Sequence, residues 1–429
     1  MKYIALTIGP IYKTLQNAKK PKELFSSSYI FSYIMREIIK NFKDREFITP
    51  YIKKEKVFDE NLKVGLFHDR FIFKSIENDI YKLKSVIDEV LKDISYKLSI
   101  PYENTKDYLQ INYIEKELDN SANPILELTP YLDTKELFIS TCQSDDFANA
   151  LKREKGDKDN FLTNGKEIQD DIKKLCYKNY YAIVHADGDK MGEVISKKEN
   201  IEEVSKLLFE YALKSTDLIS NYGGQTIYAG GDDLMFIAPT ISKDRTKTIF
   251  NLCEEISQEF KIDCATLSFG VSVNYHKFPL YEAVNNSANL LFGKAKNENR
   301  NNIAFNITKH SGQSFDSIIH KGETKLYGKF LTFTSSVAKS EEDIGNFLDS
   351  IHHKIKTYET TIKQIKNSKE KLKNFFDNYF NKDDHKKHQD FFENLIEFLH
   401  IADINQVYST LRFIKFIKGD KNEKVSSNS

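Results

Sequence analysis

The stretch IYAGGDDLMFIAP, residues 227–239, constrains the fold more than any other part of the chain. Apolar, strand-forming residues flank Gly230, Gly231 and two adjacent acids, Asp232 and Asp233, and this pattern is typical of a β-hairpin with a tight turn. Two neighbouring carboxylates repel each other, and burial between core strands makes this repulsion worse. The pattern therefore indicates either an ordinary polar turn or a hairpin whose tip carries a function.

A third acid separates these two interpretations. The run YYAIVHAD, residues 180–187, reads as a buried strand that ends at Asp187. An amphipathic helix at 201–222 separates it from the hairpin, and a second helix (244–260), a strand (265–275) and a third helix (280–297) follow. The order β-α-β-β-α-β-α is the ferredoxin-like pattern, in which the first strand lies beside the hairpin. We therefore expect Asp187, Asp232 and Asp233 at one edge of the sheet, which favours a functional tip.

Three carboxylates at one edge are tolerated only around a cation or with some of them protonated. Hard oxygen ligands without a neighbouring His or Cys suit Mg²⁺ or Mn²⁺, and two such ions can clamp both oxygens of a phosphoryl displacement. Gly230 and Gly231 would permit the tight turn and leave the backbone open to a triphosphate. The residues thus predict nucleotidyl transfer of the kind performed by polymerase and cyclase palm domains.

Composition sets further limits on function. The 429 residues contain 63 Lys+Arg and 63 Asp+Glu, so the chain has no overall field that would attract nucleic acid, and RNA would be held by a local patch or by partner subunits. The sequence contains no run of 18 apolar residues that would predict a membrane span, and its N-terminus reads as a strand and not as a signal peptide. We therefore expect a cytoplasmic protein. The four cysteines form no CxxC pair, which leaves a zinc site unsupported; they are Cys142, Cys176, Cys253 and Cys264.

Several segments together resemble a known family. They are ADGDKMG (186–192), YAGGDDLMFIAP (228–239), residues 267–296, KHSGQSF (309–315), the N-terminal residues 8–34 and VGLFHDRFIF (64–73). In this order they resemble the polymerase-like large subunit of type III CRISPR-Cas effector complexes, most closely its Cmr form. The resemblance covers most of residues 1–315 and, more loosely, the C-terminal helices.

The resemblance implies an α+β fold with two ferredoxin-like, nucleotidyl cyclase-like palm domains, a helical connector and a C-terminal helical domain. Only the second palm would carry the metal acids, and the first would hold a second nucleotide. The implied boundaries are a first palm at 1–110, a connector at 111–177, a second palm at 178–315, a helical domain at 316–420 and a disordered tail at 421–429.

The resemblance also implies an activity. Target-RNA binding by a complex of Cmr subunits and crRNA would switch on attack of a ribose 3′-hydroxyl on the α-phosphate of ATP. The product would be a cyclic oligoadenylate, or AMP joined to S-adenosylmethionine. Asp187, Asp232 and Asp233 would be catalytic and would hold two Mg²⁺ or Mn²⁺ ions. The implied nucleotide-binding residues are Gly188, Gly230, Gly231, Lys296, Ser26, Ser27 and Ser28.

Several alternatives stay open at this point. Lys296 could be a solvated helix end, and Ser26–Ser28 could form a helix N-cap. Many family members begin with an HD nuclease domain, whereas palm-like sequence starts here at residue 3, so we expect no DNase activity. We interpret the dipeptide His68-Asp69 and the cluster DDHKKHQD (383–390) as non-metal sites.

Two other kinds of protein would also fit parts of this sequence. The first is a catalytically silent scaffold that binds crRNA and target RNA. A stand-alone GGDEF-like diguanylate cyclase is the other, but it would carry Glu in place of Asp233 and a sensory domain in front.

Overall fold

A computed structural model gives the structure of this chain for residues 1–16, 18–59, 64–137, 144–152, 162, 168–197, 201–297, 299–339, 345–379 and 388–418. Two β-sheets, each covered by helices, are followed by a set of C-terminal helices. The predicted tail at 421–429 and most of the cluster at 383–390 lie outside the described residues, as does Cys142.

The first sheet has four antiparallel strands in the order β2-β3-β1-β4, which is the ferredoxin-like order predicted for a palm domain. Its central strand β1 is buried on both faces: Ile4, Leu6 and Ile8 join the main core, while Tyr3 and Ala5 join a smaller one. The strands are β1 (Lys2–Gly9), β2 (Phe47–Thr49), β3 (Arg70–Lys74) and β4 (Gln110–Glu117).

In the described part of the chain, six helices accompany this sheet. The helix with the most buried residues begins at Pro21, whose ring fits the first turn of a helix, and it buries Ile30, Ile34 and Ile38. The helices are α1 (Ile11–Leu15), α2 (Pro21–Lys40), α3 (Asp79–Leu98), α4 (Tyr102–Tyr108), α5 (Pro124–Leu137) and α6 (Asp146–Lys152). Because β4 pairs with β1 along its whole length, we propose that the first palm extends past residue 110, to Glu117.

The second sheet has six strands in the order β10-β9-β8-β5-β7-β6. Four of them, β8-β5-β7-β6, form the antiparallel ferredoxin-like core that the sequence predicts. Strands β9 and β10, which the sequence reading did not predict, extend the sheet, and β9 runs parallel to β8. The strands are β5 (Tyr180–Asp189), β6 (Gln225–Gly230), β7 (Asp233–Pro239), β8 (Thr266–Tyr275), β9 (Asn302–Thr308) and β10 (Ser314–His320).

The helices of the second sheet differ from prediction mainly at their ends. The predicted helix at 244–260 begins only at Ile249, because Thr248 and Asn251 form a capping box there. The third predicted helix ends at Leu290 and continues as a π-helical turn, Leu291–Ala295. The helices are α7 (Met191–Ser196), α8 (Ile201–Tyr222), α9 (Ile249–Glu259) and α10 (Leu280–Leu290).

The C-terminal helices begin at Thr324, after β10, which continues to His320. Residues 345–365 form two helices that meet at Tyr358. The helices are α11 (Thr324–Lys339), α12 (Gly345–Thr357), α13 (Glu359–Ile365), α14 (Lys369–Tyr379), α15 (Gln389–Ile401) and α16 (Ile404–Lys418). None of the helices in the described ranges is both long and apolar enough to span a membrane.

The two halves of the chain share one continuous core. Helix α2 of the first half packs against β6 of the second, and Lys54 forms an ion pair with Glu210 on α8 at 2.7 Å. Cys176, Cys253 and Cys264 are free thiols, and Cys253 is the buried one of these three. This packing brings the residues just before β3 of the first sheet close to the hairpin turn between β6 and β7 of the second sheet.

Candidate nucleotide and metal site

Strand pairing brings the three predicted acids to one edge of the second sheet. Strands β5 and β7 are antiparallel and pair as far as Ala186 opposite Leu234, so Asp187, the next residue of β5, lies near Asp233 at the start of β7. Strand β5 does not end at Asp187 as predicted but continues along β8 to Asp189. Asp232 occupies the turn between β6 and β7. Position along the strands therefore agrees with the sequence expectation.

The glycines of the site have distinct conformational roles. Gly231 has a φ of +66°, in the left-handed region that side chains rarely adopt, so the tight turn depends on it. Gly188 allows a close approach instead, since an added Cβ would lie 2.7 Å from Oδ2 of Asp232. The end of β5 and the hairpin tip are thus in direct contact.

The two acids of the hairpin have little compensating charge around them. Burial raises the pKa of Asp232, although its backbone hydrogen bonds partly oppose this. Burial, with the nearby charges of Asp232 and Asp69, raises the pKa of Asp233 to about 8. The buried Oδ1 atom of Asp233 has no hydrogen-bond partner among the described residues. A buried oxygen without a partner is costly, and a bound cation would satisfy it.

Lys296 compensates the third acid. Its ammonium group forms an ion pair with Asp187 and donates to the backbone carbonyl of Gly188 at 2.8 Å. The side chain is only 17% exposed, so the solvated helix end considered from the sequence does not describe it. Burial lowers the pKa of Lys296 to about 8. The π-helical turn that precedes Lys296 directs it back over the strand end, and π-turns of this kind occur frequently at functional sites.

The donor set fits a divalent ion by its chemistry. It consists of carboxylates and a backbone carbonyl, with an unpartnered oxygen on Asp233. Across the described ranges, however, no three His, Cys, Asp or Glu side chains are grouped closely enough to form a preassembled metal site. In this structure Lys296 holds Asp187, while Asp232 and Asp233 lie on the neighbouring turn. The metal role of the three acids remains a prediction.

A cleft with a cavity volume of about 70 Å³ lies between the two halves of the chain and reaches Gly231. Its walls are mostly apolar and include Tyr51 from the first half and Leu208 and Phe209 from α8. His68 also lines it, with Nδ1 accepting from the backbone N–H of Arg70 and Nε2 lying 3.1 Å from the Thr49 hydroxyl. Sequence reasoning set His68 aside as part of an HD dipeptide; only the packing of the two halves reveals its place beside the acidic turn.

The predicted serines of the first half lie elsewhere. Ser26, Ser27 and Ser28 are buried in the second turn and beyond of α2, and they line neither this cleft nor a smaller one bounded by Tyr29 and Arg36. The N-cap alternative is wrong, because α2 begins at Pro21 with Lys20 as its N-cap. Their nucleotide-binding role stays untested.

The sheet order and the acidic hairpin define a protein with palm domains. Two family models match the chain: "CRISPR-associated protein Cmr2, N-terminal" at residues 3–154 and "Cas10/Cmr2, second palm domain" at residues 180–304. The chain therefore belongs to the Cas10/Cmr2 family, the large subunits of type III CRISPR systems, in its Cmr form.

Individual relatives agree with this assignment. The CRISPR system Cmr subunit Cmr2 of Pyrococcus furiosus is 27% identical over 204 residues, which are 37% of this chain and only 23% of that relative. A chain in the cryo-EM structure of a type III-B Cmr-β complex bound to cognate target RNA has a TM-score of 0.64 at 10% identity, covering 97% of this chain and 83% of that one. A crystal structure of a Csm1–Csm4 cassette in complex with pppApA gives 0.58 at 11% identity, covering 98% and 69%.

Proposed function

We propose that this chain is the large subunit of a Cmr-type CRISPR complex and that, on target-RNA binding, it joins adenylates from ATP into a second messenger. The observation that carries the proposal is the close approach of β5 to the Gly-Gly-Asp-Asp turn: a Cβ added at Gly188 would lie 2.7 Å from the Asp232 carboxylate, and Asp187 follows directly after the pair of Ala186 with Leu234. Solved structures of similar fold, with Cmr-β and with pppApA, support it as analogies of fold alone.

The residues of the site would have different roles in the reaction, according to their positions. Asp187, Asp232 and Asp233 would hold two Mg²⁺ or Mn²⁺ ions, which, when bound, stabilise the attacking and leaving oxygens of the transfer. Gly231 permits the tight turn, and the backbone of Gly230 and Gly231 would bind the triphosphate. Lys296 would move from Asp187 towards the triphosphate as the acids take up their ligands.

The donor ATP would bind at the acidic turn, and its α-phosphate would be attacked by the ribose 3′-hydroxyl of an acceptor. The new phosphodiester bond would form as the bond between the α- and β-phosphates breaks, and pyrophosphate would leave. We propose that the acceptor lies in the cleft that reaches Gly231, because this cleft joins the first half of the chain to the turn. A second ATP there would give oligoadenylates, which can close into rings. S-adenosylmethionine there would give its AMP conjugate by the same bond.

The partners belong to the same proposal. Other Cmr subunits, crRNA and target RNA are the proposed partners, and the membership of the chain in the Cmr2 family supports this. The equal numbers of Lys+Arg and Asp+Glu suit a subunit that leaves most RNA contacts to its partners.

The test uses the assembled complex with matched target RNA, Mg²⁺ and ATP, with and without S-adenosylmethionine, and identifies the products by mass spectrometry. We expect an adenylate product that disappears in the double variant Asp232→Ala, Asp233→Ala while target RNA still binds. Product retained by the variant would overturn the metal assignment. No product from the wild-type complex in either condition would favour the silent scaffold.

A further inference from the structure

We infer that Asp189 is a positioning residue for the acidic site: it fixes the end of β5 to β8 and to the start of β9, and so holds Asp187 and Gly188 against the hairpin turn. The inference rests on the proposed metal site. It concerns an acid to which the sequence gives no role, since Asp187 and Asp189 are two residues apart and a strand places them on the same face.

The two acids nevertheless have different surroundings. The side chain of Asp187 is 21% exposed and meets Lys296, whereas Asp189 is only 1% exposed. Its carboxylate accepts from the Thr266 hydroxyl at 2.8 Å and from the Ser268 hydroxyl at 2.9 Å, both on β8. A buried carboxylate with several donors is well satisfied and holds its donors in place.

A third donor ties this carboxylate to the next strand. The backbone N–H of Asn301, just before β9, donates to Asp189 at 3.0 Å. Asn301 has a φ of +53°, in the left-handed region, so the chain turns sharply to deliver this N–H. The Asp189 carboxylate thus connects β5, β8 and the start of β9 at the edge of the sheet where Asp187 lies.

A buried cation lies close to the same cluster. Lys321, just after β10, is 8% exposed; its backbone N–H donates to the Asn301 carbonyl, and its ammonium donates to the Ser257 hydroxyl at 2.7 Å. Asp189 is among the charges that act on Lys321. The buried Asp189 carboxylate is therefore satisfied mainly by its three donors, with Lys321 as a more distant positive charge.

The alternative is that Asp189 only stabilises the fold. The two roles differ in what they predict for the neighbouring site once the protein is folded. A positioning role means that the site loses metal affinity when the donors to Asp189 are disturbed, even where Asp189 keeps its charge. A purely structural role lowers the melting temperature and leaves the metal affinity of the folded chain unchanged.

The experiment measures Mn²⁺ binding to the full-length chain by electron paramagnetic resonance, at a temperature where circular dichroism shows each variant folded. The variants are Asp189→Asn, which keeps an acceptor oxygen, Asp189→Ala, which keeps none, and Thr266→Val, which removes one donor and leaves the charge. Asp79→Asn is the matched control, because Asp79 is an equally buried carboxylate in the first half of the chain.

We expect Asp189→Ala to weaken Mn²⁺ binding about 10-fold or more, in the range seen when partners of metal ligands are removed, and the other two site variants to weaken it less. The control should bind as wild type. If Asp189→Asn and Asp189→Ala lose equal Mn²⁺ affinity and Thr266→Val loses none, the effect depends only on the charge of Asp189 and the inference is overturned. Wild-type Mn²⁺ affinity in all three variants would overturn it as well.

The metal site itself is tested in the same series by Asp187→Asn. If Asp187→Asn binds Mn²⁺ as wild type does, or if the wild type binds none, the proposed metal site fails. If Asp187→Asn abolishes binding and the Asp189 and Thr266 variants bind normally, only the positioning role fails. If Asp189→Ala does not fold, Asp189→Asn and Thr266→Val still decide between the outcomes.

Discussion

Lys296 is paired with Asp187, and it also donates to the carbonyl of the next residue, Gly188. The side chain thereby supplies, from within the chain, a positive charge at the place where the proposed site would take a divalent ion. Asp232 and Asp233 have no such internal cation among the described ion pairs. The charge of Asp187 is therefore balanced by Lys296, whereas no described ion pair balances the charges of Asp232 and Asp233.

The first prediction concerns this pair. Lys296→Gln should raise the Mn²⁺ affinity of the nucleotide-free chain, by about 10-fold if the lost competition is worth about 1.4 kcal/mol. The same variant should weaken ATP binding, because the triphosphate loses a cation. Lys294→Gln is the matched control, since Lys294 lies two residues away and pairs with Asp316 instead. Unchanged or weaker Mn²⁺ binding in Lys296→Gln, measured by calorimetry, would contradict the prediction.

The second prediction tests the close approach at Gly188. Gly188→Ala places a methyl group 2.7 Å from the Asp232 carboxylate, so the turn must shift and adenylate synthesis should fall by about 100-fold or more. Gly192→Ala is the control, because an added Cβ there meets nothing within 4 Å. Activity assays on the assembled complex, with melting temperatures of both variants, check the prediction. If the Gly188→Ala complex is as active as the Gly192→Ala complex, the turn accommodates the added methyl group and the prediction is wrong.

The third prediction concerns the cleft between the two halves. Ser205 on α8 lines the cleft, and Lys206, the next residue, does not. Ser205→Trp should fill the space and raise the KM for the acceptor with a smaller effect on target-RNA binding, whereas Lys206→Trp should leave both unchanged. Steady-state kinetics at varied ATP and S-adenosylmethionine would measure this. Equal KM values in the two variants would place the acceptor elsewhere.

The fourth prediction is a dependence of stability on pH. Burial alone would raise the pKa of Asp79, but hydrogen bonds from Arg45 and from the Ile76 backbone outweigh it, so the pKa is lowered. The folded state then binds this proton less readily than the unfolded state, so the contribution is complete above the unfolded pKa of about 4 and is lost as pH falls through the folded value.

Asp79→Asn should therefore destabilise the chain at pH 7, by about 3 kcal/mol since it breaks a buried pair, and should flatten the stability profile below about pH 5. Urea unfolding of wild type and variant between pH 7 and pH 3 would show this. A constant difference between the two profiles across that range would contradict the assignment.

Much of the second palm could be predicted from the sequence because its strands are short, apolar and bounded by glycines, and its hairpin signal is strong. The edge positions of Asp187, Asp232 and Asp233 followed from strand order alone. Strands β9 and β10 pair with each other as a hairpin, but they escaped prediction because a run such as NIAFNIT carries little periodicity of its own. The parallel pairing of β9 with β8 is also not visible in the local pattern, since helix α10 separates the two strands in the chain.

The functional environment of single residues was harder to predict. Nothing in the sequence separates Asp187 from Asp189, because both lie on one face of β5 and differ only in contacts made by β8 and Asn301. His68 lies beside Gly231 only because the two halves pack together. Ser26–Ser28 were expected to be accessible, and the longer extent of α2 buries them instead.

The antiparallel pairing of β5 with β7 also sets where this chain tolerates changes in length. Residues added or removed in the connection between α7 and α8 leave the register of Ala186 with Leu234 untouched. Deleting a single residue within β7 would turn every following side chain to the opposite face of the sheet. Libraries that vary loop length could therefore be built freely before Ile201, whereas between Asp233 and Pro239 only substitutions would keep the two strands aligned.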